Sequence, residues 1–370
     1  MSLLEELYGN RYEHAAADAA SGTPVIGLIG AEVPPELVRA AGARALRLHG
    51  AVRSDPSRAT ELLGRAVDEE AVMILSPILD GQLEFLRGIL VANDCEASLQ
   101  LFYALRELHR LGAVTPAVHL VDQRHLDRPS TLRYNIHQLH EAVRVLSEWT
   151  GVEATDARLV DAVRESAHLD VKLHALQRLR RSDASEVTGL DVLHAYGVAT
   201  AMTPAMATDA IDAAAAALAS TGGAHHRLRI FCTGSAPIGD DLYRIIEGAG
   251  AIIVGEDHAW GELALVPVRR IEPGEGKDEV ISLLAASRLA AAGAAPTRSS
   301  HRRAAHTADA VRASGAQALL AIVRAGDDAP AWDFPRQRDA VDVPAVLLER
   351  QRRTSTEDVA HALSLLRSAA

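Results

Sequence analysis

The sequence predicts an α/β fold with two lobes, each built on a parallel sheet, and a helical section between them. Short apolar runs bounded by Gly or Pro, typical of buried parallel strands, alternate with amphipathic segments near both ends of the chain. Between residues 130 and 220 the apolar residues recur at helical spacing throughout. A chain of 370 residues also exceeds what one hydrophobic core usually serves. These observations predict two Rossmann-like lobes, at residues 1–129 and 226–370, joined by a helical section at 130–225.

The first lobe begins with one or two predicted helices over residues 2–20, followed by the first strand. The run PVIGLIG at 24–30 is apolar and bounded by Pro and Gly. The next helix has Pro34 and Pro35 near its start, where missing N–H groups cost little, and Gly42 at its end. Further strands are predicted at 46–48, 88–93 and 117–121, and further helices at 58–67 and 95–111. This alternation predicts a parallel sheet with helices on both faces.

The middle of the chain carries one apolar stripe at spacings of three and four residues, which predicts helices. The stripe consists of Leu132, Ile136, Leu139, Val143 and Leu146. Strand and helix patterns then alternate again and predict a second parallel sheet. Its strands are predicted at 228–234, 251–254, 318–323 and 343–348, and its helices at about 240–247, 277–294, 300–314 and the end of the chain.

The composition limits the possible partners and locations. The net charge is −11 without a long basic run, which argues against nucleic acid because phosphate binding depends on clustered Lys and Arg. A short cluster, RLRR at 178–181, is more typical of a solvated helix face than of a phosphate site. The apolar runs are shorter than the roughly 20 residues that span a bilayer, and the first residues lack a signal-peptide pattern. We therefore predict a soluble, cytoplasmic protein with no membrane partner.

Several segments, spaced along nearly the whole chain, resemble one protein family. They are GLIGAEVPPELVRAAG at 27–42, GILVANDCEASLQ at 88–100, the stretch at 134–151 that ends SEWTG, RIFCTGS at 229–235, IIEGAGAIIVGEDHAWG at 245–261 and VPAVLLE at 343–349. In this order they resemble the subunits of 2-hydroxyacyl-CoA dehydratases and benzoyl-CoA reductases. The length of the chain is similar to that of the smaller, beta-like subunit.

The resemblance implies an activity and a set of partners. Dehydratases of this family are lyases, built as heterodimers of two similar subunits, and a separate ATP-hydrolysing activator protein supplies one electron. They remove water from a 2-hydroxyacyl-CoA thioester through a radical, whereas the reductase branch reduces an aromatic ring. This sequence has no G-x-x-x-x-G-K-[ST] motif, so it is not expected to be the activator.

The resemblance also implies a 4Fe-4S cluster, for which Cys95 matches one of the three cysteine ligands of the family. The first ligand should lie upstream of Cys95, but residues 68–76, the corresponding region, offer only Asp, Glu and Ser. The third should follow the strand at 318–323, where the chain reads RAGDDAP. Iron-sulfur clusters need soft thiolate ligands. We therefore expect the cluster of the complex to be held by a homologous partner, with Cys95 as the only metal ligand from this chain.

Cys95 lies between a strand and a helix, and two interpretations of its thiol remain open. The positive end of the helix dipole predicts a lowered pKa and a thiolate. A small thiol at a strand end is also common as inert packing. Cys232, which directly follows an apolar run, is predicted to be a core residue.

Two loops that follow strands of the second lobe carry the other candidate site residues. Glu256, Asp257 and His258 are predicted to be catalytic, because open α/β sheets bind ligands at the carboxyl ends of strands and an imidazole titrates near neutral pH. Gly234 and Ser235 could present backbone N–H groups to an anionic cofactor. A surface pairing of carboxylates with His258, and a tight turn at Gly234, are the alternatives. We expect Cys95 and residues 256–258 to face a cleft between the lobes.

Three functions are compatible with these residues. The first is a subunit of a 2-hydroxyacyl-CoA dehydratase-like or benzoyl-CoA reductase-like complex that acts on an acyl-CoA thioester. The second is a cluster-free structural or binding subunit that supports a cluster-bearing homologous partner. The third is a cluster-free enzyme that uses residues 256–258 on an acyl thioester. The substrate and the choice between dehydration and reduction stay open.

Overall fold

The computed structural model describes residues 2–50, 54–182, 186–218, 227–266, 271, 274–351 and 355–369. The first sheet has four parallel strands, β1 (Val25–Ile29), β2 (Arg44–Arg47), β3 (Leu86–Ala92) and β4 (Ala117–Val121), in the spatial order β2-β1-β3-β4. Its helices are α1 (Leu3–Gly9), α2 (Arg11–Ala20), α3 (Pro35–Ala40), α4 (Ser57–Leu63), α5 (Glu69–Leu79) and α6 (Glu96–Arg110). The first lobe is therefore an α/β unit, as predicted.

Four helices follow, α7 (Pro129–Thr150), α8 (Asp156–Arg181), α9 (Gly189–Ala199) and α10 (Pro204–Leu218). The second sheet is also parallel, with strands β5 (Leu228–Gly234), β6 (Ala251–Glu256), β7 (Ala318–Arg324) and β8 (Ala345–Gln351) in the order β6-β5-β7-β8. Its helices are α11 (Asp241–Gly248), α12 (Lys277–Ala290), α13 (Ser300–Ser314), α14 (Ala329–Ala340) and α15 (Thr356–Ala369). The predicted fold class is confirmed. The predicted boundary at residue 225 lies outside the described residues, and the division into domains stays a prediction.

Four apolar clusters hold these layers together, and the smallest packs Val311 of α13 against Phe231 and Leu319 of the second sheet. One face of the first sheet packs against α3, α7, α8 and α12, and the other face packs against α4, α5 and α6. The third cluster joins the second sheet to α1, α8, α9, α10, α11 and α15. Helix α12 follows β6 in sequence but buries Val280 and Leu284 in the core of the first lobe. The two lobes therefore share helices across their boundary.

Two helices, α5 and α14, were not predicted from the sequence. Each contains a proline, Pro77 or Pro335, which interrupts the pattern by which a helix is recognised because proline lacks an N–H donor. The start of α5 is stabilised by Asp68, whose side chain accepts a hydrogen bond from the N–H of Glu70. Helix α4 ends at Leu63, earlier than predicted, because Gly64 takes a positive φ of 87°.

Glycines allow the strands to end close to other groups at two places. Gly30, after β1, has a φ of 88°, and a Cβ atom there would lie 2.5 Å from the carboxylate of Asp94. Gly234, at the end of β5, has a φ of 106°, and a Cβ atom there would lie 2.2 Å from the carbonyl oxygen of Ile322. Only glycine fits both requirements. Among the described residues, no helix is both long and apolar enough to cross a membrane.

Candidate functional site

The carboxyl ends of strands from both sheets meet at one cavity between the lobes. Its volume is about 90 Å³, and a water needs roughly 10–15 Å³ of such space, so several small groups fit. Its charged and thiol-bearing lining residues are Glu32, Arg47, Asp68, Glu70, Asp94, Cys95, Arg288, Arg324 and Asp327. Apolar side chains, among them Ile29, Ile74, Leu101, Leu263 and Val266, form much of the remaining wall. The cavity is the candidate site, because open α/β sheets bind ligands at this edge.

Arg324 joins the two lobes across this cavity. It lies at the end of β7 and is only 8% exposed. Its guanidinium donates to both carboxylate oxygens of Asp68, at 3.0 and 2.7 Å, and to Glu70 at 2.8 Å. Burial acts to lower the pKa of Arg324, but the charges of Glu70 and Asp68 raise it, so the group stays cationic. Asp68 and Glu70 lie at the start of α5, so this ion pair connects residues 256 positions apart.

His49 makes a second connection between the lobes. Its Nδ1 lies 2.7 Å from Glu70 and its Nε2 lies 2.6 Å from the carbonyl oxygen of Pro237. Its ring stacks on Trp260 with the ring centres 4.0 Å apart. Burial lowers the pKa of His49, and the carboxylate of Glu70 opposes this effect. Its two ring nitrogens therefore link Glu70 of the first lobe to the backbone of Pro237 in the second.

Cys95 lies in the cavity and caps α6, but its thiol is not activated. Its sulfur accepts a hydrogen bond from the N–H of Ser98 at 3.4 Å and lies 3.2 Å from the hydroxyl of Ser98. Burial is the main cause that raises the pKa of Cys95, and the charges of Asp94 and Glu70 raise it further. The predicted lowering of this pKa is therefore wrong, because loss of hydration and two carboxylates outweigh the helix dipole.

Glu256, Asp257 and His258 lie at the end of β6, where the sequence placed them, but they are buried and lie outside the lining of the cavity. Ala259, the next residue, lines it. The expectation that these three side chains face the cleft is therefore wrong, because each is turned toward buried protein partners. Their predicted catalytic role stays a prediction.

Each of the three has a partner from a neighbouring helix. Glu256 pairs with Arg180 of α8 at 2.5 Å. Asp257 pairs with Arg303 at 3.1 Å and accepts a hydrogen bond from Thr307 at 2.5 Å, both in α13. The side chain of His258 lies 2.9 Å from the hydroxyl of Tyr243 in α11, and burial lowers the pKa of this histidine to about 4. These contacts hold α8, α11 and α13 against β6. The three side chains therefore support the fold behind the cavity wall.

Gly234 and Ser235 do line the cavity. The backbone N–H of Ser235, however, donates to the carbonyl oxygen of Ile322 at 2.8 Å. The Ser235 hydroxyl donates to Asp327 at 2.6 Å and accepts from the N–H of Arg324 at 3.1 Å. Their predicted part in cofactor binding stays a prediction, and the contacts in the structure connect them to the Arg324 network.

Sequence reasoning missed Arg47, Asp68, Glu70 and Arg324 as site residues. The resemblance points to residues 68–76 and 324–330 only as regions in which the family cysteines are missing. A signal was available for the arginines, because Arg47 and Arg324 are the last residues of their strands. Charged groups at that edge of a parallel sheet are candidates for ligand contact.

The side chains of the cavity do not fit a 4Fe-4S cluster. Cys95 is the one thiol in the lining, since Cys232 is buried in the apolar core of the second lobe. Within the described ranges, no group of three or more His, Cys, Asp or Glu side chains is arranged to hold a metal ion. The Arg324 guanidinium, which has no acceptor atom for a metal, fills the space beside Asp68. We therefore derive no chemistry through a cluster held by this chain.

Comparison with protein families shows which family the chain matches. A family model described as 2-hydroxyglutaryl-CoA dehydratase, D-component, matches residues 31–360 and so covers every strand of the two sheets except β1, together with the helices between the sheets. Comparison with curated proteins gives no match. The family resemblance seen in the sequence is confirmed by this match over most of the chain. The chain belongs to the 2-hydroxyglutaryl-CoA dehydratase D-component family.

Proposed function

We propose that this chain is a cluster-free subunit of a 2-hydroxyacyl-CoA dehydratase-like complex, in which it supports a homologous, cluster-bearing partner. The family match supports a dehydratase component. The observation that carries the proposal is the ion pair of Arg324 with Asp68. These residues occupy the two regions in which the resemblance implies the first and third cluster cysteines.

Asp68 and Arg324 stand in the regions where the resemblance implies cysteine ligands, and neither side chain suits an iron-sulfur cluster. Asp68 and Arg324 meet in the cavity that also contains Cys95. A guanidinium offers only donors, and a carboxylate is a hard oxygen ligand that matches an iron-sulfur cluster poorly. The geometry therefore favours the binding subunit over the catalytic one. We assign the electron-dependent chemistry to the partner and to an ATP-dependent activator, and the binding of an acyl-CoA thioester to this cavity.

The surface next to β4 supports a protein partner. β4 is an edge strand of the first sheet, so one side of its backbone has no neighbouring strand in the described fold. Tyr103 on α6 is 52% exposed, and Leu111 and Val114, between α6 and β4, are 67% and 83% exposed. Large apolar residues grouped at a sheet edge are typical of an interaction site. We propose this surface as part of the contact with the homologous subunit.

Anaerobic purification of the tagged full-length chain from its native cells tests the proposed function. We expect one homologous, cysteine-richer chain to co-purify in equal amount and to bring the iron of the complex. Leu111→Glu should reduce its recovery because a charge at a buried apolar contact is unfavourable. Leu365→Glu, an exposed leucine on α15, is the matched control and should not. A monomeric chain from which no homologous partner is recovered would contradict the proposal.

A further inference from the structure

Arg47 is a buried cation that the fold leaves with most of its donors unused. It is the last residue of β2, lines the cavity and is 7% exposed. One nitrogen donates to the carbonyl oxygen of Ala259 at 2.7 Å, and the guanidinium lies 4.8 Å from the ring centre of Trp260. A guanidinium has five N–H donors, and buried donors are almost always hydrogen-bonded. The remaining nitrogens of Arg47 are therefore placed to serve a ligand.

Other buried arginines of the described chain differ from Arg47 in this respect. Arg180, Arg303 and Arg324 each have a carboxylate oxygen within 3.1 Å. Arg298 has no such ion pair but donates to the backbone carbonyl oxygens of four residues. Arg47 has neither a carboxylate at ion-pair distance within the described residues nor a second hydrogen-bonded carbonyl. Among these arginines, Arg47 is the one that combines a position in the cavity wall with unused donors.

The surroundings of Arg47 determine which ligand atom suits it. The charges of Glu70 and Asp94 act on Arg47 without contacting it. Asp94 itself accepts hydrogen bonds from the N–H of Ala31 at 2.6 Å and from Ser98 at 2.9 Å, while burial and the charge of Glu32 raise its pKa, so negative charge is already disfavoured here. A ligand group that brings a further full negative charge beside these two carboxylates is unfavourable. A neutral carbonyl oxygen accepts from Arg47 without that repulsion.

Part of the wall of the same cavity is apolar. Ile29, Ile74, Ala97 and Leu101 line the cavity from the first lobe, and Leu263 and Val266 line it from the second. Such a surface favours a hydrocarbon chain, and the charged lining residues include more carboxylates than arginines, which disfavours an anionic end group. The small volume of about 90 Å³ limits the length of that chain.

We propose that Arg47 binds the thioester carbonyl oxygen of an acyl-CoA whose acyl chain is short, apolar and uncharged. The inference rests on the proposed function and makes it more specific, because it excludes a dicarboxylic acyl group as the preferred ligand. Arg47 is then a specificity-determining residue, and the apolar wall selects the chain. In the wild-type protein, in its complex, butyryl-CoA should bind at least about ten-fold more tightly than glutaryl-CoA or free CoA.

Isothermal titration calorimetry with these three compounds tests the inference. Arg47→Met should weaken butyryl-CoA binding about ten-fold or more, as expected for loss of a charged hydrogen-bond donor, and leave free CoA unaffected. Arg178→Met, which removes an exposed arginine outside the cavity lining, should leave both unchanged. If Arg47→Met does not fold, Ala294→Leu, at a partly exposed lining residue, should weaken butyryl-CoA binding in the same way by filling the cavity.

The outcomes separate this inference from the proposed function. Tight butyryl-CoA binding that is insensitive to Arg47→Met, or to Ala294→Leu where that variant replaces it, would overturn the inference alone. Tighter binding of glutaryl-CoA than of butyryl-CoA would also overturn it alone. If the complex binds none of the three compounds, the proposed acyl-CoA function fails and the inference fails with it.

Discussion

Replacing Arg324 by Met is expected to lower the free energy of unfolding by about 3–5 kcal/mol. The change leaves the buried Asp68 and the partly buried Glu70 at the lobe boundary without the cation that pairs with both of them. Asp327, 3.8 Å from the same guanidinium, also loses this charge. Urea unfolding followed by circular dichroism measures the effect. The largest change should appear in the transition that separates the two lobes, if they unfold in steps.

Arg144→Met provides the matched control for Arg324. Arg144 also has two carboxylate partners, Glu141 and Glu148, but all three side chains are exposed. Exposed pairs contribute about 0–1 kcal/mol, so this variant should unfold almost like the wild type. Equal, small losses in both variants would show that Arg324 does not hold the lobes together.

Arg180→Met is expected to have an effect of similar size, about 3–5 kcal/mol, for the same reason. Arg180 is fully buried and pairs with Glu256 at 2.5 Å and with Glu262 at 2.7 Å. Arg178→Met is the matched control, because Arg178 lies on the same helix turn but is exposed. That control should change stability by no more than about 0.5 kcal/mol.

The Arg180 pair also allows a test of the predicted catalytic role of Glu256. Glu256→Gln removes the carboxylate of this pair. The variant should have a lower free energy of unfolding, because Glu262 is then the one remaining carboxylate that pairs with Arg180 in the described structure. A supporting role predicts that stability and activity fall together. Full stability of Glu256→Gln with loss of turnover in the complex would instead support direct catalysis.

Local sequence patterns were sufficient for the architecture and for the location of the site. Apolar runs bounded by Gly and Pro predicted the strands, and parallel strands necessarily end at one edge of a sheet. Cys95, which follows such a strand, was therefore expected at the cleft and lies in the cavity. The family motifs gave the same arrangement, and the family match confirmed the family to which they belong.

Contacts between distant segments could not be predicted in this way. The pairing of Arg324 with Asp68 depends on how the two lobes pack, and neither residue has a local pattern that indicates it. Arg180 belongs to a basic cluster that suggested a solvated helix face, yet its side chain turns inward to Glu256. The pKa of Cys95 is raised mainly by burial and further by Asp94 and Glu70, of which Glu70 comes from another part of the chain. Each case is decided by tertiary burial and charge.

The iron and sulfide content of the isolated full-length chain tests the cluster-free assignment most directly. The chain is purified anaerobically, incubated with iron, sulfide and a thiol reductant, and freed of unbound metal. We predict less than about one iron per chain and no broad absorbance near roughly 400 nm, because Cys95 is the one cysteine in the cavity lining and a cluster needs several thiolate ligands. Cys95→Ser should leave this result unchanged. A brown protein with about four irons per chain, bleached by Cys95→Ser, would contradict the assignment.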